Sequence, residues 1–594
     1  MAEQSNAAIA DALEELGDLY ELDGAIVHRV LAYRTAARSV REAPVSVAEL
    51  ARAGRASELA GVGATLQEKI LALIDTGTIP AAEKLRAKIP AGLIAITRLP
   101  GLGPKRARLL HSELGIDSLE TLREAALAQR LRTVRGLGAK FETGVLEALE
   151  KLGDSPNVRA TPRLLLPKAL ELGETLAAGL REHGGEGTEV LIAGSARRMA
   201  DSVKDIDLIA VTRKPVTLAR SLAKLAAIES VASAGRAGAK ARTHSGVSVD
   251  LRIAKPSQLG NLLQHFTGSG KHNAALREAA VRKGLHVSEY GVYDDATTST
   301  TTCTSEREVY AMLGLDHIEP ELREDRGELA AAALESESGG SEPAHRGLPR
   351  LIEVEDVRGD LHCHTVTSDG RNSIEEMALA ARARGYEYVA ITDHSATHGF
   401  GDDVSPEELL RQIERVREAD ASIEGIRVLA GSEVNILPDG SLDYEDDLLR
   451  RLDWVIASVH TSFAMGEQAM TERMIAAVEH PLVDAIGHPT GRLIERREPY
   501  ALDVHALIDA AARTGTMLEI NANPDRRDLN DINARAAARA GVRILIDSDA
   551  HGVERFDTMR WGIATARRAW LTAQDVANTR TWAEFSKLRK QARQ

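Results

Sequence analysis

His362-Cys363-His364, with Asp369 five residues on, opens a series of metal-binding side chains that continues at His394, Glu433, His460 and His488 and closes at Asp549-Ala550-His551. From His364 to His488 the steps are 30, 39, 27 and 28 residues, and the 61 residues to Asp549 make two more, with Glu519 near their middle. One strand, one helix and two short loops take up about thirty residues. Side chains repeated at that interval fall at equivalent points of successive β/α units, and in a barrel of such units the strand ends converge on one mouth. The runs Tyr388–Thr392, Val455–Val459 and Met517–Asn521 read as strands alternating with helical patterns, as such units require. On the first strand His362 and His364 project to one side and Cys363 to the other. Mixed imidazole and carboxylate donors suit Zn²⁺ or Mn²⁺ better than Mg²⁺ alone. Nine ligands exceed what one tetrahedral zinc can use, so two or three ions are expected, able to activate a water and to receive a phosphate oxygen. His488 is the member most open to a plainer reading, a hydrogen-bonded core histidine.

Outward from this series, 594 residues are too many for one core and divide into several domains. No apolar run approaches the ~20 residues that cross a bilayer. The stretch from Met1 to Gly17 carries acidic residues where a secretory signal carries basic ones, so a cytoplasmic protein is expected. Two cysteines, Cys303 and Cys363, offer neither a disulfide framework nor a thiolate zinc site. The net charge of −14 is uneven. Residues 1–318 carry 41 Lys and Arg against 38 Asp and Glu, and residues 319–594 carry 33 against 50. The acidic half is the metal-rich half, so the whole-chain charge does not exclude DNA binding by the front half. At 3% aromatic content, base stacking is not the main means of doing so.

Residues 1 to about 150 read as short amphipathic helices punctuated by Gly61-Val62-Gly63, Gly101-Leu102-Gly103 and Gly136-Leu137-Gly138. Glycines there permit a tight turn that brings backbone N–H groups at a helix start to a DNA phosphate. Such contacts position a duplex and read no sequence. One Gly-x-Gly is best read as an ordinary turn; three in one helical region, with Lys105 and Arg106 close behind the second, form a repeated device.

A mixed α/β region follows, with strand-like runs Glu189–Ala193, Ile206–Val211 and Val247–Ile253. Gly194-Ser195-Ala196-Arg197-Arg198 precedes Asp205-Ile206-Asp207, where the acids project from one strand face and Ile206 and Leu208 from the other. Asp250 alternates with apolar residues in the same manner. An Asp-x-Asp alone fits a solvated edge strand. Three acids on one sheet face with a Gly-Ser turn before them fit a pair of Mg²⁺ or Mn²⁺ ions that clamp a phosphoryl transfer. The turn then offers donors to a triphosphate, with Arg198 as the charged one. From Arg326 to Arg350, a Glu-Ser-Glu-Ser-Gly-Gly-Ser-Glu-Pro run has linker composition.

On these residues the chain resembles the family X DNA polymerases, the group that includes the eukaryotic repair polymerase beta. The match continues in His265-Phe266-Thr267-Gly268-Ser269-Gly270-Lys271-His272-Asn273 and Arg277. The resemblance implies catalytic metal binding by Asp205, Asp207 and Asp250, and phosphate binding by Gly194, Ser195 and Arg198. It further implies ribose exclusion by the turn with Phe266 and Gly268, and minor-groove contact by Asn273 and Arg277. His265 stands where the eukaryotic enzymes have Tyr, and Gly270 where they have Asp. Leu99 to Ala107 resembles a helix-hairpin-helix, which implies DNA contact at Gly61, Gly63, Gly101, Gly103 and Lys105. His28, Arg29 and Lys69 match that family's small lyase domain, where a His-basic pair holds a 5′-phosphate and the Lys forms a Schiff base; Thr65 and Thr35 replace further lysines.

The C-terminal half resembles the PHP family of metal-dependent phosphoesterases, and the domain order resembles bacterial family X polymerases with a C-terminal PHP domain. The implied architecture is multidomain α+β and α/β. It runs as a helical lyase-like domain over 1–90, a helix-hairpin-helix region over 91–155, and a nucleotidyltransferase palm with a mixed sheet over 156–260. A nucleotide- and template-binding subdomain over 261–322, a linker over 323–352 and a distorted β/α barrel over 353–594 complete it. The implied function is templated gap filling in DNA repair by a monomer acting on gapped or nicked DNA with dNTP. A 3′–5′ exonuclease is coupled to it, with abasic endonuclease or 3′-phosphatase action as an accompaniment. The rivals are a small-molecule phosphatase tethered to a DNA-binding module and a non-catalytic DNA scaffold.

Overall fold

The computed structural model describes residues 4–97, 99, 101–153, 163–334, 347–399 and 403–590. Pro100 and the Glu-Ser-Glu-Ser-Gly-Gly-Ser-Glu-Pro run of the linker lie outside them. The chain forms two compact units, one of Met1–Arg163, Leu172–Val190 and Lys204–Ile253, the other of Leu164–Glu171, Leu191–Val203 and Ala254–Gln594.

The first unit begins with helices Asn6–Leu22, Val27–Glu42 and Ala64–Thr76, whose Ile9, Leu13, Leu16, Val40 and Ile70 form one core. Helices Pro104–Leu114 and Leu119–Leu127 surround a second core that holds Leu102, Leu110, Leu122 and Leu131. The three Gly-x-Gly turns share one geometry. Gly61, Gly101 and Gly136 have φ of 76°, 79° and 88°, a left-handed backbone that glycine adopts without strain. Val62, Leu102 and Leu137 are buried, and the next glycine leads into a helix.

Strands β1 (Glu189–Ile192), β2 (Asp205–Val211), β3 (Ile228–Gly235), β4 (Gly238–Thr243) and β5 (Ser248–Ala254) form a sheet of order β1-β2-β5-β4-β3. The pairs β3-β4 and β4-β5 are antiparallel. Ile206, Leu208, Val249 and Leu251 are buried, while Asp205, Asp207 and Asp250 retain exposure. Alternation along each strand therefore puts the three carboxylates on the face away from that core.

In the second unit, helices Leu259–Thr267 and Gly270–Val281 precede a small antiparallel sheet of β6 (Leu285–Ser288), β7 (Gly291–Asp294) and β8 (Ser299–Thr301) and the helix Glu306–Met312. Leu276, Val292, Val309 and Tyr310 fill their shared core. Arg323 and Glu328, within the stretch read as linker, are fully buried there.

The barrel consists of β9 (Gly359–Cys363), β10 (Tyr388–Ile391), β11 (Arg427–Asn435), β12 (Trp454–Ser458), β13 (Ala485–Ile486), β14 (Met517–Asn521) and β15 (Ile544–Asp547). Each pairs in parallel with the next in sequence, with helices in the crossovers. The first and last strands meet through Cys363 and Ala550, where the His364 N–H donates to the Ala550 carbonyl at 2.9 Å. Val389, Ile391, Val455, Ala457, Leu518 and Ile544 face outward into the core under the helices. Tyr388, Ala390, Leu429, Trp454, Ile456, Met517 and Leu545 face inward. Phe585, from the helix Trp582–Phe585, stacks on Tyr388 at 4.9 Å and closes the interior at that end. Among the described residues no helix is long and apolar enough to cross a membrane.

Candidate metal centre and candidate nucleotide site

Each inward-facing row of the barrel begins apolar and turns polar toward the C-terminal end of its strand. Leu429 leads to Gly431 and Glu433, Trp454 and Ile456 lead to Ser458 and His460, and Met517 leads to Glu519 and Asn521. Leu545 leads in the same steps of two to Asp547 and Asp549, and Tyr388 to Thr392 and His394. The period of the pleat thus delivers the donors to one rim. A register shift between Asp360 and Cys363 turns His362 inward, while Cys363 packs in the outer core, as its place between two inward imidazoles predicts.

Glu433 is the hub. Its carboxylate lies 2.8 Å from His488 Nε2, 2.9 Å from His394 Nδ1 and 3.1 Å from His460 Nε2, with His362 Nε2 at 3.4 Å and His364 Nε2 at 3.7 Å. Burial raises the Glu433 carboxyl, yet His460, His362 and His394 together hold it well below the usual carboxylate range. Asp369 gathers the outer side, 3.2 Å from His551 Nε2, 3.6 Å from His394 Nε2 and 3.9 Å from His364 Nδ1. Asp549 stands 3.2 Å from His364 Nε2. Three sets have donor atoms within 4.8 Å of one another: His364, Asp369, His394 and His551; His362, His364 and Asp549; His394, Glu433 and His460.

The chemistry of these donors fits divalent ions. His362 Nε2, both ring nitrogens of His364 and His394 Nδ1 are buried without a hydrogen bond of good geometry. A buried polar atom left so is costly unless something else satisfies it. Burial and the neighbouring His551 and His394 lower His364 to about 4, so its imidazole is neutral and its one unprotonated ring nitrogen is available to ligate at neutral pH. His488 belongs to none of the three sets. Its ring hydrogen-bonds Glu433, and burial with nearby Arg526 lowers it to about 3.

Several supporting groups stand behind the cluster. Glu519, noted only as a spacing marker, is fully buried and takes a hydrogen bond from His362 Nδ1 at 2.7 Å and from the His488 N–H at 2.5 Å. Such a partner fixes which ring nitrogen of His362 faces the cluster. Asn521 donates to Asp549 at 3.0 Å. The signal for both was available: they share the inward parity of Met517 on a strand already recognised. A cavity of about 140 Å³ adjoins the cluster, lined by Arg371, Asn523, Asp549, His551 and Arg555.

In the sheet of the first unit, Asp250 is held by Arg252, with Nε 2.9 Å from Oδ1 and Nη2 3.0 Å from Oδ2, and Lys240 Nζ lies 3.9 Å away. Asp205, Asp207 and Asp250 share a sheet face but are not among the sets whose donor atoms lie within 4.8 Å of one another among the described residues.

In the second unit, Gly194, with φ of 65°, opens the short helix Gly194–Arg197 that carries Ser195. Arg197 donates to both Glu306 oxygens at 2.9 and 2.6 Å and to Thr267 Oγ1 at 2.7 Å. Arg198 donates to Glu324 at 2.9 Å and to the Thr267 carbonyl at 2.8 Å, immediately before Gly268. Asn273 donates to the His265 and Gly268 carbonyls at 2.7 and 3.2 Å, and Arg277 Nη2 lies 3.2 Å from His265 Nδ1, the residue beside Phe266. A Cβ at Gly268 would stand 2.5 Å from Asn273 Oδ1. The turn with Phe266 and Gly268 therefore meets Arg198, Asn273 and Arg277.

On the helical part of the first unit, the helices that start after Gly63 and Gly103 have no side-chain cap, and a Cβ at either glycine would meet nothing within 4 Å. The glycine at each helix start is thus uncrowded, which leaves room for a phosphate near the first turn, although Pro104 itself carries no N–H. Lys105 is exposed beside Gly103. His28 and Arg29 are exposed, Arg29 lies over the Tyr20 ring, and Lys69 is half-buried on the helix Ala64–Thr76.

Comparison with known proteins finds four family matches: helix-hairpin-helix domain over 4–79, SAM-like helix-hairpin-helix tandem over 93–151, DNA polymerase beta thumb over 262–324 and PHP domain over 360–523. The chain is 37% identical over 574 residues to the "DNA polymerase/3'-5' exonuclease PolX" of Bacillus subtilis, covering 96% of each chain. It is 34% identical over 210 residues to a "Probable phosphatase" of Acetivibrio thermocellus, 33% of this chain and 82% of that one. A "Probable phosphatase" of Thermoanaerobacter sp. is 31% identical over 233 residues, 37% of this chain and 89% of that one.

Proposed function

This chain belongs to the bacterial family X DNA polymerases that carry a PHP domain, and from that premise we propose which of its residues carry the two reactions. It is a template-directed DNA polymerase coupled to a metal-dependent 3′–5′ exonuclease. In our reading it works as a cytoplasmic monomer on gapped or nicked DNA with dNTP, and the exonuclease site also processes abasic or 3′-phosphate ends.

Asp205, Asp207 and Asp250 would hold two Mg²⁺ or Mn²⁺, and His362, His364, Asp369, His394, Glu433, His460, His488, Asp549 and His551 would hold two or three Zn²⁺ or Mn²⁺. Such ions lower the pKa of a hydroxyl or water and neutralise charge on phosphate oxygens. The chain's own groups do the rest. Ser195 and Arg198 receive the triphosphate, Phe266 and Gly268 bound its sugar, and Asn273 and Arg277 face the new pair. At the barrel mouth Arg371 and Arg555 line the cavity beside His551 and supply positive charge to a terminal phosphodiester. Glu519 fixes the His362 ring, and Asn521 fixes the Asp549 carboxylate. The helix starts after Gly63 and Gly103, with Lys105, take the duplex backbone, and His28, Arg29 and Lys69 take a 5′-phosphate.

The observation that carries the nuclease assignment is Glu433 amid five imidazoles at the mouth of a closed barrel. The tethered small-molecule phosphatase is not favoured. The named phosphatases match about a third of this chain, whereas the polymerase/exonuclease matches 96% of it. Primer extension and digestion on a gapped duplex test the assignment. Asp205→Ala with Asp207→Ala is expected to abolish extension and spare digestion, and His362→Ala with His364→Ala to do the reverse. Loss of both activities from either folded pair would contradict separate sites.

A further inference from the structure

The barrel holds four residues shortly after the Gly-Ser turn, Arg198, Met199, Asp201 and Ser202. Arg568, last in the helix Met559–Arg568, donates to the Arg198 carbonyl at 2.8 Å. Arg527 donates to the Met199 carbonyl at 3.0 Å and lies 3.3 Å from Asp201. Arg492 donates to Asp201 at 2.8 Å, and Ser202 donates to Glu495 at 2.7 Å. Within this contact one atom has two claimants. Glu324 Oε1 accepts from Arg198 Nε at 2.9 Å and from Arg568 Nη1 at 2.9 Å. Arg568 is itself anchored by Asp531 at 3.0 Å, and its side chain is only 9% exposed, so it holds its place whether or not Arg198 moves.

We propose that Arg568 is a positioning residue for nucleotide binding: by keeping Glu324 paired, it lets Arg198 leave that carboxylate for an incoming triphosphate. The proposal rests on the assignment of Arg198 to the nucleotide phosphates. A largely buried carboxylate stripped of its only cation is strongly penalised. Were Arg198 the sole partner of Glu324, every binding event would carry that penalty. With Arg568 on the same oxygen, Glu324 remains compensated, and the barrel sets how readily the polymerase half accepts substrate. No contact between the two reacting centres is needed.

Steady-state single-nucleotide extension on the full chain tests this, with 3′–5′ digestion by the same preparation as the check of fold. Arg568→Ala is expected to raise the KM for dNTP about tenfold, the worth of one charge-assisted hydrogen bond, with little change in kcat. Arg568→Lys, which keeps the charge, restores most of the loss. Glu324→Gln frees Arg198, lowers KM severalfold and removes the effect of Arg568→Ala in the double variant. An unmoved KM in Arg568→Ala, or the same rise in the Glu324→Gln background, overturns the proposal. Should Arg568→Ala not fold, a KM that fails to fall in Glu324→Gln overturns it. Absence of extension by the wild-type chain would instead remove the polymerase reading on which it rests.

Discussion

Glu306→Gln isolates the ion cluster that ties the Gly-Ser turn to the subdomain after it. Glu306 is 6% exposed and receives both guanidinium nitrogens of Arg197 as well as Arg323, which is fully buried. Burial raises its carboxyl, but the Arg197 hydrogen bond and the Arg323 charge bring it down from the ordinary 4.5 to about 2. At about 1.4 kcal/mol per pH unit, that distance is on the order of 3 kcal/mol of stability. A depressed carboxylate contributes fully above its unfolded value. The contribution should therefore be intact above pH 4.5 and drain away as pH falls toward about 2. Glu306→Gln keeps the shape and removes the charge, leaving Arg323 buried without its counter-ion, a loss of about 3–5 kcal/mol at neutral pH. Two units need not unfold together, so a local probe is required. Hydrogen exchange of amides in Leu259–Thr267 and Glu306–Met312, corrected for intrinsic rates, reads this segment. Protection should fall about a hundredfold or more in the variant at pH 7 and depend less steeply on pH between about 5 and 3, where Glu324 and Glu328 still titrate. Equal protection at pH 7, or parallel pH profiles for the two proteins, would refute the reasoning.

At the metal centre, Glu433→Gln removes the charge shared by five imidazoles; metal analysis after desalting should show fewer bound ions per chain, with digestion lowered about a hundredfold or more and extension retained. Gly268→Ala puts a Cβ 2.5 Å from Asn273 Oδ1 and 2.8 Å from His272 Cδ2, and His272 is fixed by Glu328 and Tyr310, so Asn273 must yield. Its KM for dNTP should rise about tenfold through the lost placement of Asn273, with weaker discrimination against rNTP, measured by single-turnover incorporation. Lys105→Ala should weaken binding of all duplex sequences alike and reduce the slope of log K against log salt by about 1, read by fluorescence anisotropy.

How far the sequence sufficed depends on whether a group acts through period or through tertiary approach. The barrel was legible because its donors repeat at the length of a β/α unit and several sit a whole number of pleats beyond an apolar strand residue, as Glu433 does beyond Leu429. The Gly-x-Gly turns were legible because only glycine adopts φ near 80° at Gly61, Gly101 and Gly136 without strain. The partners of Arg198 were not. Glu324 lies 126 residues away and Arg568 a further 244, and no local pattern marks an arginine at a helix end as the partner of a carboxylate so distant in sequence. Glu519 falls between these cases: its parity was readable, but its pairing with His362, 157 residues earlier, needed the closed barrel.

The same distinction accounts for the acidic half of a DNA enzyme. Residues 319–594 carry 50 acids against 33 bases, yet acids central to the barrel are buried and matched: Glu433 by imidazoles, Glu519 by His362, and Asp360 by the backbone of His362 and Ser548. Burial removes such charges from the field a polyanion meets, and divalent ions would reverse their local sign. Arg371 and Arg555 remain at the cavity beside them, so the potential at the mouth follows such local charges and not the net charge. A negative barrel and a negative substrate are therefore compatible.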